Sequence, residues 1–236
     1  MDQMDKNTVS AQNQLKASAS VFFEHLEREG LRVMFVGNSI TCHGIKHDIG
    51  WHNCWGMAAS AKEKDYVHLC MAEIEKHHPD AAFCICQVSK WEMDYKNGRE
   101  KYPIYEAARN FGADVIIFRA VENCPKAGYE KETFKEALAD LLDYLNPEGK
   151  GSVLVTTGFW KHPADEAIRA YAEDKGWPLC ELGDLGELDE MKALGLFEHT
   201  GVANHPGDLG MKTLAERICE TLVQMDVFLK KKGNCK

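Results

Sequence analysis

Long apolar segments and an excess of positive charge are both missing from this sequence of 236 residues. The longest uninterrupted apolar run, at 81–86, has six residues, whereas a helix that crosses a bilayer needs about 20. Acidic residues outnumber basic ones, 37 Asp and Glu against 28 Lys and Arg, which gives a net charge of −9. We therefore expect neither a membrane nor nucleic acid as a partner, because the first needs apolar length and the second a basic surface.

Paired cysteine motifs are also missing. The nine cysteines are odd in number and irregular in spacing, and no Cys-x-x-Cys pair occurs. This pattern favours reduced thiols in the core over a disulfide framework or a zinc ribbon. The first thirty residues lack the apolar stretch of a signal peptide. We therefore expect a cytoplasmic protein, and nothing in the sequence requires a cofactor.

Apolar residues make up 44% of the chain and charged residues 28%, which is typical of a globular domain with a sizeable core. No internal repeat, low-complexity linker or shift in composition divides the chain. We predict an N-terminal arm and helix over 1–30, helical from about 12 to 29, and a single domain over 31–232.

Short apolar or β-branched runs alternate with longer segments of helical periodicity. The predicted strands are Leu31–Val36, Ala81–Val88, Asp114–Arg119, Ser152–Thr157 and Pro178–Leu182. The predicted helical segments are 55–78, 100–111, 130–145, 164–176 and 207–230. Because parallel strands need crossovers of a dozen residues or more, this alternation predicts an α/β fold, a three-layer α/β/α sandwich around a five-stranded parallel sheet.

In such a sheet the active cleft lies beyond the carboxyl ends of the strands. The loops at that edge are predicted at 37–54, 88–99, 120–129, 158–163 and 183–206. Trp51, Trp91 and Trp160 lie within them, and Trp55 lies just beyond the first. These tryptophans form the walls of an aromatic pocket or pack the loops onto the sheet.

Three polar residues in these loops suit acyl-transfer chemistry. Ser39, in Gly37-Asn38-Ser39-Ile40-Thr41, follows the first strand, where a nucleophile could also donate its own N–H to an oxyanion. His205 lies in the last loop and could act as its base, and Asn123 follows the third strand and could donate a second hydrogen bond. Alone, each has an ordinary alternative: a turn serine, a surface histidine and a turn asparagine.

Taken in order, the three residues resemble the blocks of the SGNH (GDSL-type) hydrolases. The Gly37-Asn38-Ser39 segment is similar to the Gly-Asp-Ser block of that family, with asparagine in place of aspartate. The resemblance spans about residues 31–230 and implies a flavodoxin-like sandwich. It also implies that Ser39 is the nucleophile, that Ser39 and Asn123 form the oxyanion hole, and that His205 is the base.

Three departures from the family pattern bear on activity. Val121 stands where the family has glycine, and no glycine follows the second strand, so the second oxyanion amide is not placed. Val202 stands three residues before His205, where the family has aspartate. The group that orients the histidine is then a main-chain carbonyl, which gives a Ser-His dyad, or a displaced acid. The candidate acids are Glu198, Glu122 and Asp208.

The resemblance implies an esterase that acts on small acyl esters, acetylated sugars first, with tryptophan faces for a sugar ring. Arg119 either pairs with Glu122 or receives a substrate carboxylate. A thioesterase or lysophospholipase of the same fold remains an alternative, as does a protein on this scaffold that binds without turnover. The sequence leaves open whether the protein forms a homo-oligomer.

Several metal-ligating residue types crowd the first loop and define a competing hypothesis, a metal site. If this loop leads into a helix, two of its histidines share a face; otherwise they contact solvent or line the pocket. The residues are His43, His47, Asp48, His52 and Cys54.

Overall fold

A computed structural model of the protein describes residues 20–229. Its centre is a six-stranded sheet in the order β1-β3-β2-β4-β5-β6, in which β2 to β6 are parallel and β1 is antiparallel to β3. The strands are β1 (Val21–Glu24), β2 (Arg32–Gly37), β3 (Ala82–Gln87), β4 (Val115–Arg119), β5 (Ser152–Thr156) and β6 (Leu179–Cys180). The five parallel strands fall on the five predicted ones.

Helices cover both faces of the sheet, which confirms the predicted three-layer α/β/α sandwich. They are α1 (Tyr66–His77), α2 (Ser89–Glu92), α3 (Glu106–Phe111), α4 (Lys131–Leu145), α5 (Asp165–Lys175), α6 (Thr200–Ala203), α7 (Asp208–Leu222) and α8 (Asp226–Leu229). A hydrophobic core lies on each face of the sheet, and successive side chains of β2 point into one and then the other. Met34 and Val36 face α3, α4 and α5, whereas Val33 and Phe35 face α1 and α7. All four of these side chains are fully buried.

The helix predicted through residue 29 is wrong where it can be compared. Residues 21–24 form the edge strand β1, so the sheet has six strands, and the predicted residues 12–19 lie outside the described part. A run of four residues such as Val-Phe-Phe-Glu fits both the helical and the strand repeat of apolar residues. Its β-branched and aromatic residues favour a strand once β3 supplies the hydrogen bonds.

The predicted helix at 55–78 begins only at Tyr66, because the chain first makes turns and a short 3₁₀ segment at Lys62–Lys64. The Asp65 side chain then accepts the His68 N–H and caps α1. The predicted segment 100–111 is a 3₁₀ helix, Tyr95–Tyr105, followed by α3, and the terminal helix divides into α7 and α8.

Among the described helices, none combines the length and the apolar composition that a bilayer crossing requires. Within residues 20–229 the cysteines are free thiols, and all except the exposed Cys54 are buried. Cys84 and Cys86 lie on one face of β3, in the same core.

Candidate active site

Ser39 lies in a tight turn at the carboxyl end of β2. The Asn38 carbonyl accepts the N–H groups of Thr41 and Cys42, both at 2.9 Å, and Met57 donates its N–H to the Ser39 carbonyl at 2.9 Å. Within the described residues nothing accepts the Ser39 N–H. The turn is therefore fixed on both sides while the amide that an oxyanion would need stays available.

Glycine is required before this turn because the backbone is closely surrounded. A Cβ at Gly37 would lie 1.8 Å from Thr41 Oγ1 and 2.7 Å from the Arg119 carbonyl oxygen. Both distances are below any normal contact. The close approach of the turn to the end of β4 thus depends on Gly37.

The structure brings together Ser39 and His205, which are 166 residues apart in the chain: Ser39 Oγ lies 2.8 Å from His205 Nε2. On the other side of the ring, Nδ1 lies 2.7 Å from the Gly201 carbonyl oxygen. A carbonyl can only accept, so Nδ1 carries the proton and Nε2 presents its lone pair to the serine hydroxyl. This is the tautomer that a general base requires.

Burial lowers the pKa of His205 from its usual 6.5 to about 4, although the hydrogen bond to Gly201 opposes the shift. The ring is therefore neutral at pH 7. Trp160, half-buried, meets it edge to face, with ring centroids 5.5 Å apart.

None of the three candidate acids bonds to the histidine within the described part of the chain. Asp208 accepts from Ser60, at 2.8 and 2.7 Å, and from Lys64 at 2.9 Å. Glu198 is exposed, and Glu122 is engaged by Arg119. The orienting group is a main-chain carbonyl instead, and it is available because the short helix α6 places residue 201 one turn before residue 205.

Asn123 is linked to the Ser39 turn by Glu92, a residue that the sequence analysis did not select. Glu92 in α2 is fully buried. Its Oε2 accepts Asn123 Nδ2 at 2.7 Å, and its Oε1 accepts Asn38 Nδ2 at 3.0 Å. The only signal for it in the sequence was a carboxylate in the loop after the second parallel strand.

Arg119 is fully buried and pairs with Glu122, through Nη1 at 2.8 Å and Nη2 at 3.0 Å. Its Nη2 also donates to Asn38 Oδ1 at 2.7 Å, and Glu122 accepts the Phe159 N–H at 2.8 Å. Of the two interpretations of Arg119, the structure has the ion pair, and the buried guanidinium is not placed to receive a substrate.

The two buried glutamates differ in their ionisation. Burial, and then the charge of Glu122, raise the pKa of Glu92 to about 7. Burial also acts to raise the pKa of Glu122, but Arg119 and the Phe159 N–H more than offset it, and that pKa lies below its usual value. Arg119 thus keeps one carboxylate charged beside a second that titrates near neutrality.

The predicted aromatic pocket needs correction. Trp51 and Trp91 are fully buried, Trp91 against Phe118 and Phe134, because their large apolar surfaces pack the loops onto the sheet. Of the three proposed wall residues, Trp160 alone is partly exposed and lies next to His205.

The only helical segment that the structure shows in the histidine-rich first loop is a short 3₁₀ turn, His47–Ile49, which does not include His43, so the two histidines share no helix face. His47 Nδ1 and His52 Nδ1 lie 2.7 Å apart beside a bridge between Lys46 and Trp51, whereas His43 bonds to the Gly44 carbonyl. Throughout 20–229, no three His, Cys, Asp or Glu side chains converge as a metal site would require.

The second oxyanion amide, which the family pattern would supply after the second parallel strand, is not free here. After β3, the Ser89 N–H donates to the Gln87 side chain at 3.3 Å.

The sequence matches no protein-family model and no curated protein. Solved structures do match. A lipolytic protein of the G-D-S-L family from Veillonella parvula is 14% identical, with 83% of this chain and 100% of that chain covered and a TM-score of 0.52. A two-domain esterase active on acetylated mannans is 17% identical, with 90% and 53% covered and a TM-score of 0.55.

The chain has the SGNH hydrolase fold. A psychrotrophic esterase from Pseudoalteromonas sp. has it as well, at 10% identity, with 82% of this chain and 97% of that chain covered and a TM-score of 0.54. This chain spans about half the length of the two-domain esterase active on acetylated mannans. At such identities the similarity shows the architecture alone.

Proposed function

We propose that the protein is a serine esterase that hydrolyses small carboxylic esters through a dyad of Ser39 and His205. The observation that carries the proposal is the 2.8 Å contact between Ser39 Oγ and the His205 Nε2 lone pair, with Nδ1–H held by the Gly201 carbonyl. A serine hydroxyl is a weak nucleophile unless a neutral base lies within hydrogen-bond distance. The lowered pKa of His205 keeps that base neutral near pH 7.

In the proposed reaction Ser39 Oγ attacks the ester carbonyl carbon while Nε2 takes the hydroxyl proton. The Ser39 N–H and Asn123 Nδ2 donate to the oxyanion of the tetrahedral intermediate. His205 then returns the proton to the leaving alcohol, and a water molecule hydrolyses the acyl enzyme by the same route. Loss of one oxyanion donor typically lowers kcat by about 10²–10³.

The proposed substrate is an acetyl ester of a carbohydrate or another polar molecule. The half-buried ring of Trp160 beside His205 is a surface on which a sugar could stack, and an esterase active on acetylated mannans shares the fold.

The test uses the purified full chain, a fluorophosphonate probe and 4-nitrophenyl esters of two, four and eight carbons. We expect labelling at Ser39 by peptide mapping, fastest turnover of the acetate, and loss of both in Ser39→Ala. His205→Ala should abolish turnover and slow labelling at least 100-fold.

Ser152→Ala is the matched control, because Ser152 starts β5 at the opposite edge of the sheet. It should leave labelling and turnover unchanged. Folded wild-type protein that is neither labelled nor active would overturn the proposal and favour a protein that binds without turnover. Preference for the octanoate or for thioesters would favour the lysophospholipase or thioesterase alternative.

A further inference from the structure

We propose that Glu92 is a positioning residue, whose buried carboxylate holds the Asn123 carboxamide in place against the turn that carries Ser39. The inference rests on the proposed esterase function and deepens it. Within the described part of the chain, Glu92 forms no hydrogen bond with Ser39 or His205.

The carboxylate joins two segments that the chain separates widely. One oxygen of Glu92 accepts Asn38 Nδ2 at 3.0 Å, and the other accepts Asn123 Nδ2 at 2.7 Å. Asn38 directly precedes Ser39. One rigid, planar group therefore links the segment of the candidate nucleophile to the candidate oxyanion donor, while Asn38 Nδ2 also donates to Glu122 Oε2 at 2.6 Å.

Asn123 needs such a partner because its side chain is exposed. The terminal torsion of an asparagine is broad and nearly two-fold, so a free carboxamide presents its oxygen as readily as its nitrogen. Above its pKa Glu92 is a carboxylate, which only accepts, so it selects the orientation of Asn123 with Nδ2 towards itself. The same nitrogen carries a second hydrogen, which remains for an oxyanion.

Glu92 is in turn fixed by its surroundings. The carboxylate is fully buried, and the Asn123 N–H also approaches its Oε1, at 3.4 Å. Asn38 Oδ1 accepts from Arg119, and Asn38 Nδ2 donates to Glu122 as well as to Glu92, so the Asn38 amide is held with its nitrogen towards the two glutamates. The orientation thus passes from Arg119 through Asn38 and Glu92 to Asn123.

A merely structural role for Glu92 would predict a different result from mutation. Glu92→Gln keeps size and shape but offers one acceptor oxygen and one NH₂ group to two amide donors. Asn38 is also held by Arg119 and Glu122, so Asn123 is the asparagine that must turn or lose its bond. If Glu92 acts through Asn123, the loss falls on the transition state, where the oxyanion exists, and not on ground-state binding.

The experiment measures kcat and KM for 4-nitrophenyl acetate in Glu92→Gln, Asn123→Ala and the double variant. We expect Glu92→Gln to lower kcat by about 10–100-fold with KM changed less than two-fold, since a donor displaced by about 1 Å can cost 10²-fold. Asn123→Ala should lose more, and adding Glu92→Gln to it should cost little further. Glu106→Gln, on the exposed surface of α3, is the control and should match wild type.

The proposal is overturned if folded Glu92→Gln keeps wild-type kcat, or if its loss is undiminished in the Asn123→Ala background. Circular dichroism and thermal unfolding monitor folding. Should Glu92→Gln not fold, Glu92→Asp replaces it, because it keeps both acceptor oxygens but retracts them by one methylene. The same cycle then applies, with the same two outcomes. An unlabelled Ser39 in the wild type would instead overturn the esterase itself.

Discussion

The Nδ1–H of His205 donates to the Gly201 carbonyl oxygen at 2.7 Å, a position that an aspartate occupies in a Ser-His-Asp triad. The carboxylate of a triad fixes the tautomer of the histidine and stabilises the imidazolium that forms during attack. A carbonyl fixes the tautomer equally well but offers a dipole in place of a charge. We therefore expect the proposed dyad to be correctly oriented but slower than a triad.

The first prediction concerns the acidic limb of the pH profile. Burial lowers the pKa of His205 to about 4, and only the neutral ring accepts a proton, so the base stays active in mildly acidic solution. We expect kcat/KM for 4-nitrophenyl acetate to be lost completely only as pH falls through about 4–5. Complete loss with a midpoint near 6.5 would contradict this.

Glu92 should add a second, partial step to the same profile. Its pKa of about 7 is set by burial and by the facing charges of Glu122 and Arg119. As pH falls through 7, Glu92 gains a proton and becomes a donor itself, which weakens its hold on Asn123. We expect a partial decrease in kcat near pH 7 in the wild type and none in Glu92→Gln, which has no carboxyl group there to titrate. An identical step in both proteins would assign it to another group.

The second prediction is that an aspartate at the family position does not rebuild a triad. Val202 is fully buried among Trp51, Met57 and Ala58, so Val202→Asp places an unpaired charge in an apolar cluster. We expect the free energy of unfolding to fall by about 3–5 kcal/mol, with no gain in kcat. Val202→Ala, which loses only packing, is the control. A faster enzyme of unchanged stability would show that the side chain can reach the histidine.

The third prediction concerns the buried ion pair. Arg119→Met leaves the Glu122 carboxylate buried without its cation, and we expect chemical denaturation to show a loss of about 3–5 kcal/mol. Adding Glu122→Gln should recover part of it. Arg99→Met breaks an exposed pair with Asp140 and should cost less than about 1 kcal/mol. Equal losses in the two arginine variants would mean that burial does not govern the pair.

The fourth prediction tests the packing of the serine turn. Gly37→Ala forces a methyl group against Thr41 and the Arg119 carbonyl, so the turn must move. We expect a loss of about 1–3 kcal/mol and a decrease in kcat of about 10–100-fold. At Gly183 the nearest atom to a Cβ is 3.5 Å away, and Gly183→Ala should be tolerated. Wild-type activity in Gly37→Ala would show that the turn is not fixed as described.

The parallel strands could be predicted because each carries its own signal. Buried strands such as Val115–Arg119 are short apolar runs, and their alternation with helices implies parallel pairing. The edge strand Val21–Glu24 carries no such signal, since four residues fit either period and its hydrogen bonds come from β3. The burial of Trp51 and Trp91 also escaped prediction, because position in a loop does not tell which way a ring points.

For the site, the chemistry of three residues in loops at one edge of the sheet, together with the resemblance to the SGNH hydrolases, indicated Ser39, Asn123 and His205. The group that accepts the Nδ1–H of His205 could not be predicted from the sequence. The sequence does not distinguish between the three candidate acids, Glu198, Glu122 and Asp208. The tertiary structure shows that Glu122 is bound to Arg119 and that Asp208 is bound to Lys64.

The sequence by itself determined the layered architecture and the edge of the sheet where polar residues gather, because periodicity and strand ends are local properties of the chain. Tertiary structure decided which carbonyl holds His205 and which carboxylate holds Asn123. A hydrogen bond depends on distances of a few tenths of an ångström between residues far apart in the chain, and those distances exist only once the sheet and its loops have packed.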